Sequence, residues 1–236
     1  MCGILGERGK ISDREVFQGL LDLSVSRGPD DQQIVEPEAG IRFGFNRLSI
    51  LDLSDAGRQP MFSIDGRWLV MLNGEIYNHL DLQAGLGRKD WRGHSDTETL
   101  TELIRLHGFH RAITLLDGMF AVAAWDLKER NLYLARDFAG IKPLFWGQQN
   151  GCFVFGSQYD QVRKHPEFQS ASVNPRVLKL YLKQHFVPAP FGLHEGISQL
   201  LPGEIIRLAA DFSIDRTRYW KLPSQPQHTI LEKEEA

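Results

Sequence analysis

Between positions 120 and 155, β-forming segments follow one another with short connections: Phe120-Ala121-Val122-Ala123-Ala124-Trp125, Leu132-Tyr133-Leu134, Leu144-Phe145-Trp146 and Cys152-Phe153-Val154-Phe155. Parallel neighbours need a long crossover, so this spacing predicts antiparallel strands joined by turns such as Asn150-Gly151. Two earlier segments have the same character. Ile41-Arg42-Phe43-Gly44-Phe45 alternates, and Trp68-Leu69-Val70-Met71-Leu72 is continuously apolar. Helical patterns are fewer. Residues 13–24 carry Val16, Phe17, Leu20, Leu21 and Leu23 at helical spacing. Ser95-Asp96-Thr97-Glu98 reads as a capping box with Leu100, Leu103 and Ile104 behind it. Two further helices are expected, one over residues 109–116 and one opening at Asn174-Pro175 and running through Leu178, Tyr181 and Leu182. The expected class is α+β, a layered domain over residues 1–222. Residues 223–236, from Pro223-Ser224-Gln225-Pro226 to Glu232-Lys233-Glu234-Glu235-Ala236, read as a linker or truncated tail.

Bulk properties narrow the partners. A formal net charge of −3 offers no basic field for nucleic acid or an anionic membrane. No apolar run approaches the roughly 18 residues of a membrane span, and Gly3-Ile4-Leu5 runs straight into Glu7-Arg8 without a signal pattern, so a cytoplasmic location is expected. Two cysteines, Cys2 and Cys152, make no disulfide framework, and each needs its own reading. Cys152 sits in an apolar strand and reads as a small buried hydrophobe. The histidines show no metal-ligand spacing, and no metal site is expected.

Cys2 is the most informative residue. Removal of Met1 would give it both a thiol and a free α-amine, with ordinary pKa values near ~8.5 and ~8. One residue could then supply nucleophile and base without a histidine. A second-position cysteine can equally be chance. Asn73-Gly74-Glu75-Ile76-Tyr77-Asn78 follows an apolar segment, and an Asn amide with a Gly backbone N–H can stabilise an oxyanion, although Asn-Gly is also a common tight turn. Arg47 could clamp a carboxylate bidentately, or be an ordinary surface arginine. Asp96 favours a helix N-terminus, and could also bind an ammonium. Together these residues complement a free amino acid carrying a side-chain amide, which is glutamine. Lys142 reads as part of a turn between strands.

The ordered strings Cys2-Gly3-Ile4, Arg27-Gly28-Pro29-Asp30, Arg47-Leu48-Ser49-Ile50, Gln59-Pro60, Asn73-Gly74-Glu75-Ile76-Tyr77-Asn78, Ser95-Asp96-Thr97-Glu98, Leu116-Asp117-Gly118-Met119-Phe120, Ala135-Arg136-Asp137, Gly140-Ile141-Lys142-Pro143-Leu144, Leu201-Pro202-Gly203 and Tyr219-Trp220 carry a family resemblance. The chain resembles the N-terminal domain of asparagine synthetase (glutamine-hydrolysing), a class II glutamine amidotransferase of the N-terminal-nucleophile hydrolase family. The resemblance implies a four-layer αββα sandwich of two stacked antiparallel sheets. It implies Cys2 as nucleophile with its own α-amine as base, and Asn73 and Gly74 as the oxyanion hole. Arg47 would bind the glutamine carboxylate, Asp96 with Glu75 the α-amino end, and backbone near Ile50 would line the pocket. Ser26, Asn46, the string Asp137-Phe138-Ala139-Gly140 and Gln158 depart from the usual pattern without removing any of these groups.

Full members of that family continue into an ATP-pyrophosphatase synthetase domain with a Ser-Gly-Gly-x-Asp-Ser loop, and no such string occurs here. Hence no cofactor is expected in this chain. ATP and magnesium are expected for the missing synthetase domain, which would be a partner alongside L-glutamine, with a homodimer as a further arrangement. Two alternatives stay open: a non-catalytic docking domain of a split synthetase, and the glutaminase half of an enzyme that amidates a different acceptor.

Overall fold

The computed structural model describes residues 1–222, so the linker expected over 223–236 lies outside the described residues. The strands are β1 (Gly3–Gly9), β2 (Asp31–Glu38), β3 (Ile41–Arg47), β4 (Met61–Phe62), β5 (Trp68–Ile76), β6 (Gly118–Asp126), β7 (Asn131–Arg136), β8 (Phe145–Gln149), β9 (Cys152–Gly156), β10 (Ile197–Gln199), β11 (Glu204–Leu208) and β12 (Ile214–Arg218). The helices are α1 (Arg14–Asp22), α2 (His79–Gly85), α3 (Asp96–His107), α4 (Phe109–Thr114), α5 (Tyr159–Arg163) and α6 (Pro175–Gln184). The strands form two sheets of six, ordered β10-β8-β9-β1-β3-β2 and β12-β11-β7-β6-β5-β4. The strand pairings within both sheets are antiparallel, as the short connections predicted.

The apolar runs are continuous because most central strands are covered on both faces. In β6, Ala121, Ala123 and Trp125 enter the core between the sheets, where they meet Ile4, Phe43, Phe45, Phe153 and Phe155. Phe120, Val122 and Ala124 point the other way, into a cluster with Leu100, Leu103, Ile104 and Phe109 of α3 and α4. On the far side of the first sheet, Phe17, Leu20 and Leu21 of α1 pack with Leu5, Cys152 and Val154. Three apolar layers therefore separate four structural layers, α-β-β-α, as the resemblance implied. Cys152 is the buried strand residue expected of it, and burial pushes its thiol up to about 12.

Local readings fared unevenly. Ser95 does cap α3, accepting from the Thr97 N–H (3.0 Å). Glu98 does not close a capping box. Its buried carboxylate accepts from the Arg92 and Gly93 N–H groups, each at 3.1 Å, because the preceding loop delivers unpaired donors to it. The helix expected from Asn174-Pro175 is α6, capped by Asn174; Val177 is buried, while Leu178, Tyr181 and Leu182 face solvent. Asn73-Gly74 is no turn. It lies inside β5, paired with Ala121 and Phe120, and a Cβ on Gly74 would come within 2.0 Å of the Met119 carbonyl oxygen. Gly74 is thus required first by the closeness of two strands.

A buried polar knot ties the first sheet to its helical layer. Glu7 and Arg42 are paired across β1 and β3, and Arg42 Nη1 donates to Glu7 Oε1 (2.7 Å). His165 Nε2 and Ser12 Oγ reach Glu7 Oε2 at 3.0 and 2.9 Å. Removing one partner of a buried pair strands the other. Arg42→Met is therefore expected to cost about 3 kcal/mol, read as a lower urea midpoint with an unchanged slope.

Candidate active site

The loop after β3, the last turns of β5, the start of β1 and the first turn of α3 converge on a cavity of about 110 Å³. Cys2, Arg47, Ile50, Asn73, Gly74, Glu75 and Asp96, all singled out from the sequence, line it together. Residues more than ninety positions apart meet there because β1 pairs with β3 in one sheet and packs against β5 of the other.

Cys2 is half-buried at the mouth of β1. Its Sγ faces Leu48, donating to the carbonyl oxygen (3.7 Å) and accepting from the N–H (3.4 Å). Burial pushes the thiol up, while the Leu48 N–H and the neighbouring terminal ammonium pull it down. The thiol is therefore stored protonated and needs a base to become a nucleophile. Arg27 Nε donates to the Cys2 carbonyl oxygen (3.0 Å), which fixes the terminal backbone.

Asn73 is fully buried. Its Nδ2 makes one long bond to Ser157 Oγ (3.4 Å), which leaves a second amide N–H for a ligand, and Oδ1 has no partner. Ser157 also receives the Ile4 N–H (3.0 Å), so this one hydroxyl links the strand behind the nucleophile to the strand carrying Asn73. Arg47, at the end of β3, anchors Nη2 on the carbonyl oxygens of Asp52 and Ser54 (2.5 and 2.9 Å). Those bonds orient the fork and leave its other donors free of any carboxylate among the described residues. A Cβ on Gly57 would sit 2.5 Å from that same nitrogen, so Gly57 makes room for the guanidinium.

Asp96 opens α3 and is 5% exposed. Its Oδ2 accepts from the Ile76 N–H (3.0 Å), and no cation of the described residues pairs with it. Burial pushes its carboxyl up, against the pull of the Ile76 N–H and of His79. It is a buried carboxylate on the wall of the cavity. Ile50 lines the cavity at its rim and is 70% exposed.

Some site residues escaped the sequence reading. Gln59 holds α3 against β5, donating to Thr97 Oγ1 (3.0 Å) while its Oε1 accepts from the Leu72 N–H (2.6 Å). Ser157 was passed over beside Gln158. Lys142 lies in the turn expected of it, yet that turn carries the side chain into the cavity beside Cys2. The string Gly140-Ile141-Lys142-Pro143-Leu144 signals the turn and says nothing of the direction in which Lys142 points.

A family model described as a glutamine amidotransferase domain matches residues 1–220. The chain belongs to this family. The amidotransferase domain is also similar to curated proteins. Asparagine synthetase [glutamine-hydrolyzing] 3 of Bacillus subtilis (strain 168) is 31% identical over 97% of the chain and 38% of its own length. Asparagine synthetase [glutamine-hydrolyzing] 1 of the same organism is 32% identical over 99% of the chain and 37% of its own length. The amidotransferase domain thus spans well under half the length of these relatives. Its fold is shared with solved structures at low identity. Glutamine phosphoribosylpyrophosphate amidotransferase from B. subtilis superposes with a TM-score of 0.64 at 17% identity, covering 94% of the chain and 50% of that structure. A structure titled as the allosteric regulatory enzyme of purine biosynthesis gives 0.68 at 17% identity, with the same coverage of 94% and 50%. Among the described residues no helix is long and apolar enough to cross a membrane.

Proposed function

We propose that the chain hydrolyses L-glutamine to L-glutamate and ammonia, with Cys2, freed by removal of Met1, as nucleophile. The observation that carries this is the gathering of Cys2, Arg47, Asn73 and Asp96 around one cavity. Arg47 takes the substrate carboxylate, and Asp96 with Glu75 takes its ammonium. These contacts at one end leave the side-chain amide at Sγ. The Cys2 α-amine accepts the thiol proton, and sulfur bonds to the amide carbon. The oxygen becomes an oxyanion held by the Asn73 Nδ2–H and the Gly74 N–H. As that centre collapses, the C–N bond breaks, and the α-ammonium returns its proton to the leaving nitrogen, which departs as ammonia. Water, deprotonated by the same amine, then adds to the thioester. The C–S bond breaks, and glutamate and the thiol are regenerated.

The ammonia would serve an asparagine-synthetase-type amidation performed by a domain or subunit outside this chain. Similarity to the named synthetases over nearly all of this chain, and well under half of theirs, supports that reading. ATP and magnesium would act in that partner. Among the described residues no three His, Cys, Asp or Glu side chains gather to hold a metal ion, so these residues do not fit a magnesium site.

Intact-mass measurement before and after a glutamine-analogue electrophile tests the proposal. Loss of Met1 with one adduct on Cys2, followed by steady glutamate release from untreated protein, is the expected result. Retained Met1, or no adduct on a folded chain, would overturn it.

A further inference from the structure

The turn between β7 and β8 is built around a lysine that the hydrolytic steps above do not use. Asp137, fully buried, accepts from the Lys142 N–H (3.0 Å) and the Ile141 N–H (2.9 Å). Arg136 donates to the Lys142 carbonyl oxygen (2.7 Å), the Leu200 carbonyl oxygen (2.7 Å) and the Gly140 carbonyl oxygen (2.5 Å). Both backbone groups of Lys142 are thus held by buried charged side chains. A glycine at position 140, with φ +69°, closes the turn between them.

This rigid mount carries a lysine that is 3% exposed with Met1 in place, and whose ammonium has no carboxylate partner among the described residues. Its one hydrogen bond among them is to the Met1 thioether, at 3.0 Å. A thioether is a weak acceptor, and it leaves with Met1. Removal of Met1 creates a new amine one residue along, on Cys2, in the cavity that Lys142 already lines. Two ammonium groups in a poorly solvated pocket disfavour each other. Burial and then Arg27 push the Lys142 ammonium below its ordinary value, but the α-amine starts from near ~8 against ~10.4 for lysine and gives up its proton first. A free α-amine is what the nucleophile needs as its base.

Resting on the glutaminase reading, we propose that Lys142 is a positioning residue whose buried ammonium, aimed at the place Met1 vacates, keeps the Cys2 α-amine in its free-base form. The other charges around the terminus divide in sign. For the ammonium of Met1, burial is the largest influence lowering it; the Cys2 thiolate opposes it, Arg27 and Lys142 reinforce it, and Asp30 opposes it, and these charges remain beside the terminus when Met1 leaves. Arg27 is committed to the Cys2 carbonyl oxygen, so it fixes the backbone as well as the field. Asp137 and Glu75 face Lys142 itself, and Asp96 and Arg47 face the thiol. Lys142 is the cation in this set whose side chain has nothing else to hold once Met1 is gone. Loss of its charge raises the pKa of the amine, so the base form appears only at higher pH.

The test is an NMR titration of the full chain labelled with 13C-cysteine, which has only two cysteines to assign. Buried Cys152 reports whether each variant is folded. In Lys142→Met, or Lys142→Gln should the first fail to fold, the midpoint of the Cys2 amine should rise by about one pH unit. Lys142→Arg should return it to the wild-type value. The acidic limb of kcat/KM for glutamine should move by the same amount. A midpoint that is the same in wild type and Lys142→Met overturns the proposal. So does a shift that Lys142→Arg fails to reverse, since packing and not charge would then be responsible. The two readings fail separately. Absence of glutamate release with a shifted midpoint removes the glutaminase reading alone, and turnover with an unmoved midpoint removes Lys142 alone.

Discussion

Cys2→Ala is expected to take up no glutamine-analogue electrophile and to lose glutamate release by about 10⁶-fold in kcat, the scale seen when a nucleophile is deleted from an enzyme whose catalytic groups act as a unit. The fold should survive. Among the described residues the Cys2 sulfur hydrogen-bonds only with Leu48, its methylene packing against the core is kept by alanine, and the Arg27 bond goes to the backbone carbonyl oxygen, which alanine also keeps. Equal thermal midpoints would therefore accompany complete loss of turnover. Cys2→Ser should recover almost nothing. A hydroxyl is a poorer nucleophile than a thiol at any pH the α-amine can serve, and burial, which already pushes the thiol up, works against an alkoxide in the same sense. A chain extended by one alanine between Met1 and Cys2 keeps the thiol but moves the α-amine one residue away. It should label slowly and turn over poorly, separating the need for sulfur from the need for its own amine. Undiminished glutamate release by Cys2→Ala would sink the mechanism.

The strands were legible because two-sided burial writes itself as apolar runs. Trp68-Leu69-Val70-Met71-Leu72 and Cys152-Phe153-Val154-Phe155 fall inside β5 and β9, and tight spacing left antiparallel pairing as the simplest connection. Sheet order was not legible. β1 pairs with β3 and β9, partners far apart in the chain, and nothing local to Gly3–Gly9 specifies them. The four-layer arrangement came from the family resemblance, and the core clusters supply its physical reason. Among helices, Ser95 capped as expected because N-capping is a local event, whereas Glu98 was captured by donors from the preceding loop. The helix through Leu178, Tyr181 and Leu182 formed as expected in α6, and periodicity does not specify whether anything covers its apolar face. In the site, residues whose chemistry is unusual for their position, such as Cys2, were found. Residues that act through placement, such as Ser157 and Gln59, were not, because a buried serine or glutamine looks ordinary until its partners are known.

Asp96→Asn should lower kcat/KM for glutamine by about 10²–10³-fold, the cost of removing one member of a buried charged pair at a binding site. The argument rests on what the substitution keeps. Asparagine retains an oxygen that can accept the Ile76 N–H, the bond that holds Asp96 in place, and Ser95 still caps α3. Packing is nearly isosteric, so the variant loses charge and little else. In the unliganded site that charge is costly, since burial pushes the carboxyl up more than the Ile76 N–H, His79 and the Thr97 N–H pull it down. A substrate ammonium supplies the missing partner and pulls the carboxyl back to its ionised form. The contact lies at the end of glutamine remote from the scissile amide and persists through the reaction, so its loss should fall mainly on KM. Glutaramic acid, which is glutamine without its α-amino group, provides the control. Wild type should prefer glutamine to it by the same 10²–10³-fold, and Asp96→Asn should treat the two nearly alike. If the variant kept the wild-type preference for glutamine, the ammonium would be bound elsewhere, and Glu75, which lines the same cavity, would be the residue to substitute next.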